Sequence, residues 1–255
     1  MCPWLPEDFF HRLLSLWSER LEEDYELLLN FRSSGPTKRD FESGVDAFSS
    51  GLAEAGIICA PTYLWGRTPT PPRIELAGFT PVFEDLTTPV YYSVVLVRQD
   101  SGFEKLADLA EARWAFNDPC SLSGYFSVTS SLPQNKARIQ ELATFTGGHF
   151  QSVELLLNGG ADACAVDSNG WLLQKALHKK SEGKLKALTR LGPFVAQPLV
   201  LATRTAPERK LRLKKTLEDL SQDKDALLEL QRKWGLVRFV ATNEEHFDLL
   251  KSQMS

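Results

Sequence analysis

Three short segments carry residues whose types and spacing suit the holding of a small anion. The first is Asn117 to Tyr125, NDPCSLSGY. An apolar strand ends at Asn117, Asp118-Pro119 turns the chain, and a serine-rich stretch opens a helix. The first N–H groups of a helix lack internal partners, and the helix dipole adds about half a positive charge there. Ser121 and Ser123 at i, i+2, with Gly124 allowing close approach, would make an anion cradle whose donors include the backbone of Leu122. With equal weight, Ser121 or Ser123 is an N-cap and nothing more. The second segment is Thr146 to His149, TGGH, also between a strand and a helix. Its glycines admit a ligand to the backbone, and His149 can donate to an anion through either ring nitrogen. Taken alone, a surface histidine capping its helix is the better reading. The third is Asp167 in CAVDSNGW, at the carboxyl end of a buried strand. Open α/β sheets bind ligands beyond such ends. Asp167 would receive a cationic or hydroxyl group, or it caps the next helix. All three segments share one topological position, and that convergence outweighs each of them alone.

Catalytic constellations are poor. The histidines are His11, His149, His178 and His246, and all but His149 sit in polar helical surroundings. No GxSxG, HExxH, P-loop or GxGxxG occurs. A Ser121–His149–Asp167 triad can be drawn, but clustered helix N-termini suit holding an anion better than activating a hydroxyl. No catalytic residue is assigned and an enzyme is not expected. Cys2, Cys59, Cys120 and Cys164 lack metal-ligand spacing, so neither a metal nor a cofactor is expected. Cys59 and Cys164 lie in apolar runs and read as buried free thiols, which fits a reducing compartment.

The elements that must position these segments alternate between strand and helix. A helix is expected over 6–22, where Phe9, Leu13, Trp17 and Leu21 recur at i, i+4. Tyr25 to Phe31 could be a buried strand, and Phe41, Val45, Phe48 and Leu52 mark a second helix. AGIICAP follows as a strand, and GRTPTPPR as a loop. VYYSVVLVR, Val90 to Arg98, is the best strand in the chain. RWAFN, Ala143 to Phe145 and Asp162 to Val166 are further strands, with helices over 150–158 and from about Gly170. Leu185 to Leu191 and Val195 to Thr203 are strands, followed by helices over 206–221, 223–234 and 243–252. Leu211, Leu213, Leu217 and Leu220 would supply the buried side of the first of these. The alternation argues an α/β architecture with mostly parallel sheets.

Composition bounds the function. The 255 residues carry 29 Lys and Arg against 33 Asp and Glu, a net charge of −4. No basic excess exists to neutralise a phosphate backbone, so nucleic acid is not an expected partner. No apolar run approaches the roughly 20 residues that cross a bilayer. The N-terminal residues have no basic start and no clean apolar stretch, so no signal peptide is read there. Either the protein is intracellular or an export signal is absent from this sequence; the first gives the expectation of a cytoplasmic protein and argues against a permease partner.

At these segments the chain resembles a known family. From about Phe48 to Leu201 it looks like the phosphate/phosphite/phosphonate-type solute-binding proteins (PhnD-like) of the type 2 periplasmic-binding-protein fold. The blocks that carry the resemblance are SGLAEAGIICAPTY, VYYSVVLVR with DSGFEKLADL, WAFNDPCSLSGY and TGGHFQSVELLLNGGADACAVDS, in that order. The resemblance implies a tetrahedral anion at Ser121, Leu122, Ser123 and Gly124, contacted also by His149. It implies Asp167 near the variable end of the ligand. Tyr63, and Tyr91 or Tyr92 at the start of the crossover strand, are implied as further ligand contacts.

The expectation is then an α/β chain of two lobes joined by two hinge crossings. One lobe comprises 1–90 and 202–255 and the other 91–201, each a mostly parallel sheet flanked by helices. The crossings are expected within Leu86–Val94 and Gly192–Thr203. The expected function is non-enzymatic binding of a small oxyanion (phosphate, phosphite, phosphonate or a phosphate ester) in the cleft between the lobes. The alternatives are a cytosolic enzyme on the same scaffold and a sensor or interaction protein without ligand.

Overall fold

A computed structural model describes residues 7–24, 26, 36–83, 88–177 and 183–254. The strand expected at Tyr25–Phe31, His178 and Cys2 lie outside these residues, apart from Glu26 itself. In chain order, α1 (Glu7–Leu21), α2 (Lys38–Ser43), α3 (Ala47–Ser50), β1 (Ala55–Ile57), α4 (Ala60–Gly66), β2 (Ile74–Leu76) and β3 (Phe79–Val82) lead to the long strand β4 (Val90–Arg98). There follow β5 (Trp114–Phe116), a π-helical turn (Leu122–Phe126), α5 (Ser127–Ser131), α6 (Lys136–Glu141), β6 (Ala143–Phe145), α7 (His149–Leu157), β7 (Ala163–Asp167), α8 (Ser168–Leu177) and β8 (Leu185–Val195). Last come β9 (Leu199–Ala202), α9 (Pro207–Gln222), α10 (Lys224–Trp234), β10 (Arg238–Ala241) and α11 (Asp248–Met254).

The chain divides into two compact units, and it passes from one to the other between Val90 and Tyr91 and back between Phe194 and Val195. The return therefore precedes the expected boundary at 201/202. The reason is β9, which is paired on both sides within the first unit, with Gly56 opposite Val200 and Glu75 opposite Leu201.

In the first unit β9 stands between β1 and β2 and runs antiparallel to both. β1, α4 and β2 form a crossover whose two strands run parallel to each other, and the returning strand separates them. β3 and β10 form a second, antiparallel pair. The short strands β2, β3 and β10 have no counterpart in the sequence reading, because three or four residues are too few to show a period. The helix expected across Phe41 to Leu52 is two helices. Gly44 at φ 72° closes α2, and the Asp46 carboxylate caps α3 by accepting from the N–H groups of Phe48 and Ser49. Val45 and Leu52 are consequently exposed. In α9, Leu213, Leu217 and Leu220 are buried as expected, whereas Leu211 faces solvent. α1 packs on α9 through a hydrogen bond from Trp17 Nε1 to Thr216 Oγ1 at 2.8 Å.

The second unit is built on a five-stranded sheet of order β6-β5-β7-β4-β8. β5 is parallel to β6 and β7, while β4 is antiparallel to β7 with Ser93 opposite Asp167. The sheets are thus mixed, not mostly parallel, because β4 enters this unit against the direction of the β5–β7 crossovers. Both faces are covered. Val95 and Val97 join Trp114, Phe116 and Val128 on one face, and Val94 and Leu96 join Val153, Leu156 and Trp171 on the other. A strand buried on both faces has no polar alternation, which is why β4 reads as a continuous apolar run.

Candidate functional site

The carboxyl ends of β5, β6 and β7 and the start of β4 meet at one edge of the second unit's sheet. Each of these ends runs into one of the three segments singled out above. The loops after β5 and β6 are tied together, since the Thr146 N–H donates to the Phe116 carbonyl at 2.8 Å and the Gly147 N–H to the Asn117 carbonyl at 2.9 Å.

The turn after β5 is organised by a buried carboxylate. Asp118 Oδ1 accepts from the Cys120 N–H at 2.7 Å, and Oδ2 accepts from Asn117 Nδ2 at 2.9 Å. Burial raises the Asp118 pKa from 3.8 to about 6, opposed by the N–H groups of Cys120 and Ser121. The turn delivers Ser121 as N-cap of the π-helical turn, its Oγ accepting from the Gly124 N–H at 3.0 Å. The Ser121 carbonyl takes both the Tyr125 and Phe126 N–H groups, the i to i+5 closure of a π-turn, a feature frequent at functional sites. Among the described residues the Leu122 and Ser123 N–H groups and the Ser123 Oγ have no hydrogen-bond partner. Gly124 permits this packing: a Cβ there would lie 1.7 Å from Asn117 Oδ1 and 3.0 Å from Ser121 Oγ. Beneath the cradle the Ser123 carbonyl accepts from Ser93 Oγ at 2.5 Å and Ser127 Oγ at 2.9 Å.

His149 is the first residue of α7, and Gly148 precedes it in extended backbone as N-cap. It is 6% exposed, not the surface residue that its segment alone suggests. Nδ1 is buried without a hydrogen-bond partner. Burial holds its pKa down, from 6.5 to about 4, opposed by the backbone of Ala165 in β7. The ring is neutral at physiological pH, with one nitrogen a donor and the other an acceptor. Two further buried atoms at this edge have no partner, Asn117 Oδ1 and Asn169 Oδ1. Asn117 ends β5, His149 follows β6 and Asn169 follows β7, so the three stand on adjacent strands.

Asp167 is fully buried and caps α8, Oδ1 accepting from the N–H groups of Asn169 at 2.8 Å and Gly170 at 3.4 Å. Tyr92 is half-buried; its N–H donates to Ser168 Oγ at 3.2 Å, and the Arg190 guanidinium lies 4.1 Å over its ring. Tyr91 is buried with its ring tilted 6.3 Å from that of Phe194. Tyr63 belongs to the first unit. Its ring is buried, 4.6 Å from that of Phe247, and its hydroxyl donates to Glu244 Oε1 at 2.5 Å. Burial, then that carboxylate, raises its pKa.

Sequence reasoning missed Ser93, Asp118, Asn117 and Asn169 as participants. Ser93 had a signal, as the one small polar residue among the apolar and aromatic residues of its strand. Asp118 was read as a turn former only. Cys59 is half-buried at the start of α4, whereas Cys164 is buried as expected and its thiol pKa is raised by burial alone. Among the described residues no His, Cys, Asp or Glu side chains cluster as a metal site, and no helix is long and apolar enough to cross a membrane.

Residues 66–247 match the family described as "ABC transporter, phosphonate, periplasmic substrate-binding protein". Solved structures share the fold. A binding-protein component of a phosphonate ABC transporter from Pseudomonas aeruginosa superposes with TM-score 0.80 at 13% identity, over 97% of this chain and 80% of that one. PhnD1 from Prochlorococcus marinus, in complex with methylphosphonate, gives TM-score 0.74 at 14% identity, over 99% and 94%. A Xanthomonas citri protein bound to ATP gives 0.70 at 16% identity, over 96% and 90%. The chain belongs to this family of periplasmic phosphonate-binding proteins of ABC transporters. It is a binding component and not an enzyme. The expected cytoplasmic location is corrected by the same match, since the family is periplasmic; that expectation had rested on the N-terminal residues and on the unpaired cysteines.

Proposed function

We propose that this member of the family captures a phosphonate-type oxyanion at the sheet edge of its second unit, for delivery to an ABC permease. The observation that carries the reading is the opening of the π-turn. Among the described residues the Leu122 and Ser123 N–H groups and the Ser123 Oγ have no hydrogen-bond partner. They stand beside three buried atoms that have none either. Each unpaired buried polar group costs about 1–3 kcal/mol, and a bound tetrahedral anion would satisfy the donors. Ser121 and Gly124 shape the cradle, and His149 borders it. Tyr92 and Asp167 are neighbours of the anion rather than its primary holders, because the Asp167 carboxylate already caps α8. Tyr91 stands beside them. Tyr63 is omitted, its hydroxyl being engaged by Glu244.

Isothermal titration of methylphosphonate and phosphate into the protein tests this directly. Replacing Ser123 by Ala should weaken the better ligand about 10- to 100-fold, the loss of one hydrogen bond to a charged group. Saturable binding that is indifferent to Ser123→Ala would place the anion elsewhere.

A further inference from the structure

We propose that the first unit carries a docking slot for an extended peptide of a second polypeptide, which adds to the free edge of β1 as a further strand. Beside β1 lies a cavity of about 430 Å³, walled by residues of α1, α3, β1 and α9. Its lining is apolar: Phe10, Leu13, Trp17, Phe48, Ile57 and Leu213 all line it and are all buried. The slot lies wholly within the first unit. It shares no residue with the oxyanion site of the second unit, so it goes beyond that reading and does not depend on it.

The hydrogen bonding of β1 says what the slot takes. Among the described residues β9 is the one strand paired with β1. The Ala202 N–H donates to the Glu54 carbonyl at 2.8 Å, and the Ile58 N–H donates to the Pro198 carbonyl at 3.2 Å. Both bonds keep the register that sets Gly56 opposite Val200. Glu54, Gly56 and Ile58 therefore turn their backbone groups toward β9, and the residues between them turn theirs away. Ala55 and Ile57 are those residues, and both line the slot. Among the described residues their N–H and C=O groups have no hydrogen-bond partner. An apolar small molecule would fill the volume and leave these groups unpaired, which burial makes costly. An extended peptide meets both demands, since its backbone pairs with the edge and its side chains fill the apolar walls. β1 is three residues long, so the paired run is correspondingly short.

Charge narrows the peptide further. Asp24 and Glu26 line the slot and are exposed. Among the described residues neither has an ion pair or a hydrogen bond. The other charges nearby are matched: Glu23 and Glu54 hold Arg209, Glu23 also holds Arg212, and Asp223 holds Arg20. Two unmatched carboxylates favour a basic residue beside the apolar run. Leu52, which also lines the slot and is 75% exposed, extends the apolar wall outward.

The test is calorimetric titration of the protein with a capped peptide of one lysine followed by alternating valine and isoleucine. Saturable one-to-one binding is expected. Two versions methylated on alternate backbone nitrogens, one for each edge of the strand, should then differ. The version that blocks the edge facing β1 should bind at least about tenfold more weakly, and the other should bind nearly as well as the parent. Glutamate in place of the lysine should weaken binding, and the double variant Asp24→Lys, Glu26→Lys should reverse that order. Ala55→Pro removes an edge N–H that β9 does not use, and should weaken the parent peptide about two- to tenfold. If that variant does not fold, the methylated pair on the wild-type protein decides. Equal affinity for the two methylated versions would overturn the proposal, because the slot would then take apolar matter without strand pairing. Binding of no peptide would overturn it as well, by showing the slot closed or filled by this chain itself.

Discussion

Replacement of Gly124 by Ala tests the cradle's construction without touching a ligand-facing hydroxyl. A Cβ built there would lie 1.7 Å from Asn117 Oδ1, 2.9 Å from Asn117 Cγ and 3.0 Å from Ser121 Oγ. The first of these is roughly half an ordinary contact distance, so the Asn117 side chain must move. Asn117 is 2% exposed and hydrogen-bonded through Nδ2 to the Asp118 carboxylate at 2.9 Å. Breaking a bond to a charged group costs about 1.5–3 kcal/mol, and forcing atoms into a packed interior about 1–3 kcal/mol. Against this, Ala lowers the entropy of the unfolded chain and favours helix by about 0.4–1 kcal/mol. The net expectation is a loss of about 2–4 kcal/mol. A domain holding about 5–15 kcal/mol survives that, so the variant should fold with a lower urea midpoint and weakened anion binding. An unchanged or higher midpoint would mean that Asn117 is not held against Gly124, and the account of the turn would fail with it.

Two other outcomes follow from the same geometry. Tyr63→Phe removes the hydroxyl that donates to Glu244 and leaves a half-exposed carboxylate that water can serve. It should cost about 1 kcal/mol of stability; a urea midpoint equal to wild type would show that the bond contributes nothing. Asp118 and His149 titrate with opposite sign. The folded state raises Asp118 from 3.8 to about 6, so its contribution is fully present at low pH and is lost as pH rises through 6. It lowers His149 from 6.5 to about 4, so that contribution is present above 6.5 and lost as pH falls through 4. Each amounts to about 3 kcal/mol at 1.36 kcal/mol per unit, and between about pH 4 and 6 they largely cancel. His149→Asn removes one side of the balance. Relative to wild type, its stability should improve on acidification from pH 7 to 4.5, and denaturation curves that shift equally for both proteins would contradict the assignment.

Much of the site was legible because helix N-termini and strand ends leave signatures in composition. Asp118-Pro119, the spaced serines and Gly124 gave the turn after β5, and TGGH gave the opening of α7. What the residues could not reveal was which of two compatible roles each side chain takes. Ser121 proves to be the cap, and Ser123 Oγ has no partner among the described residues, although the two are alike in sequence, because only the first has its Oγ within reach of the Gly124 N–H. Asp167 was weighed as either a ligand contact or a cap, and its Oδ1 does cap α8. Strand direction was read wrongly for a different reason. Alternation of strands and helices predicts parallel crossovers within a unit, but not a strand that enters from the other unit. β4 and β9 are the two strands that follow the crossings, and each runs antiparallel to its neighbours.

The antiparallel entry of β4 has a consequence for the site. In a sheet of β5, β6 and β7 alone, every residue at the ligand edge would follow the end of a strand and belong to a loop. β4 runs the other way, so it brings strand residues to that edge. Ser93 donates to the Ser123 carbonyl beneath the cradle, and the Tyr92 N–H donates to Ser168 at the opening of α8. One strand thereby fixes two helix openings at adjacent positions, about 3.4 Å apart along the chain. A strand residue surrounded by a sheet moves less than a loop residue, so the cradle carbonyl is anchored to the most rigid part of the unit. That anchoring leaves the Leu122 and Ser123 N–H groups directed by the helix opening rather than drawn into local bonds of their own. The polar interruption of VYYSVVLVR at Ser93 is therefore part of what holds the proposed cradle in place, and the apolar residues around it are what make that interruption effective.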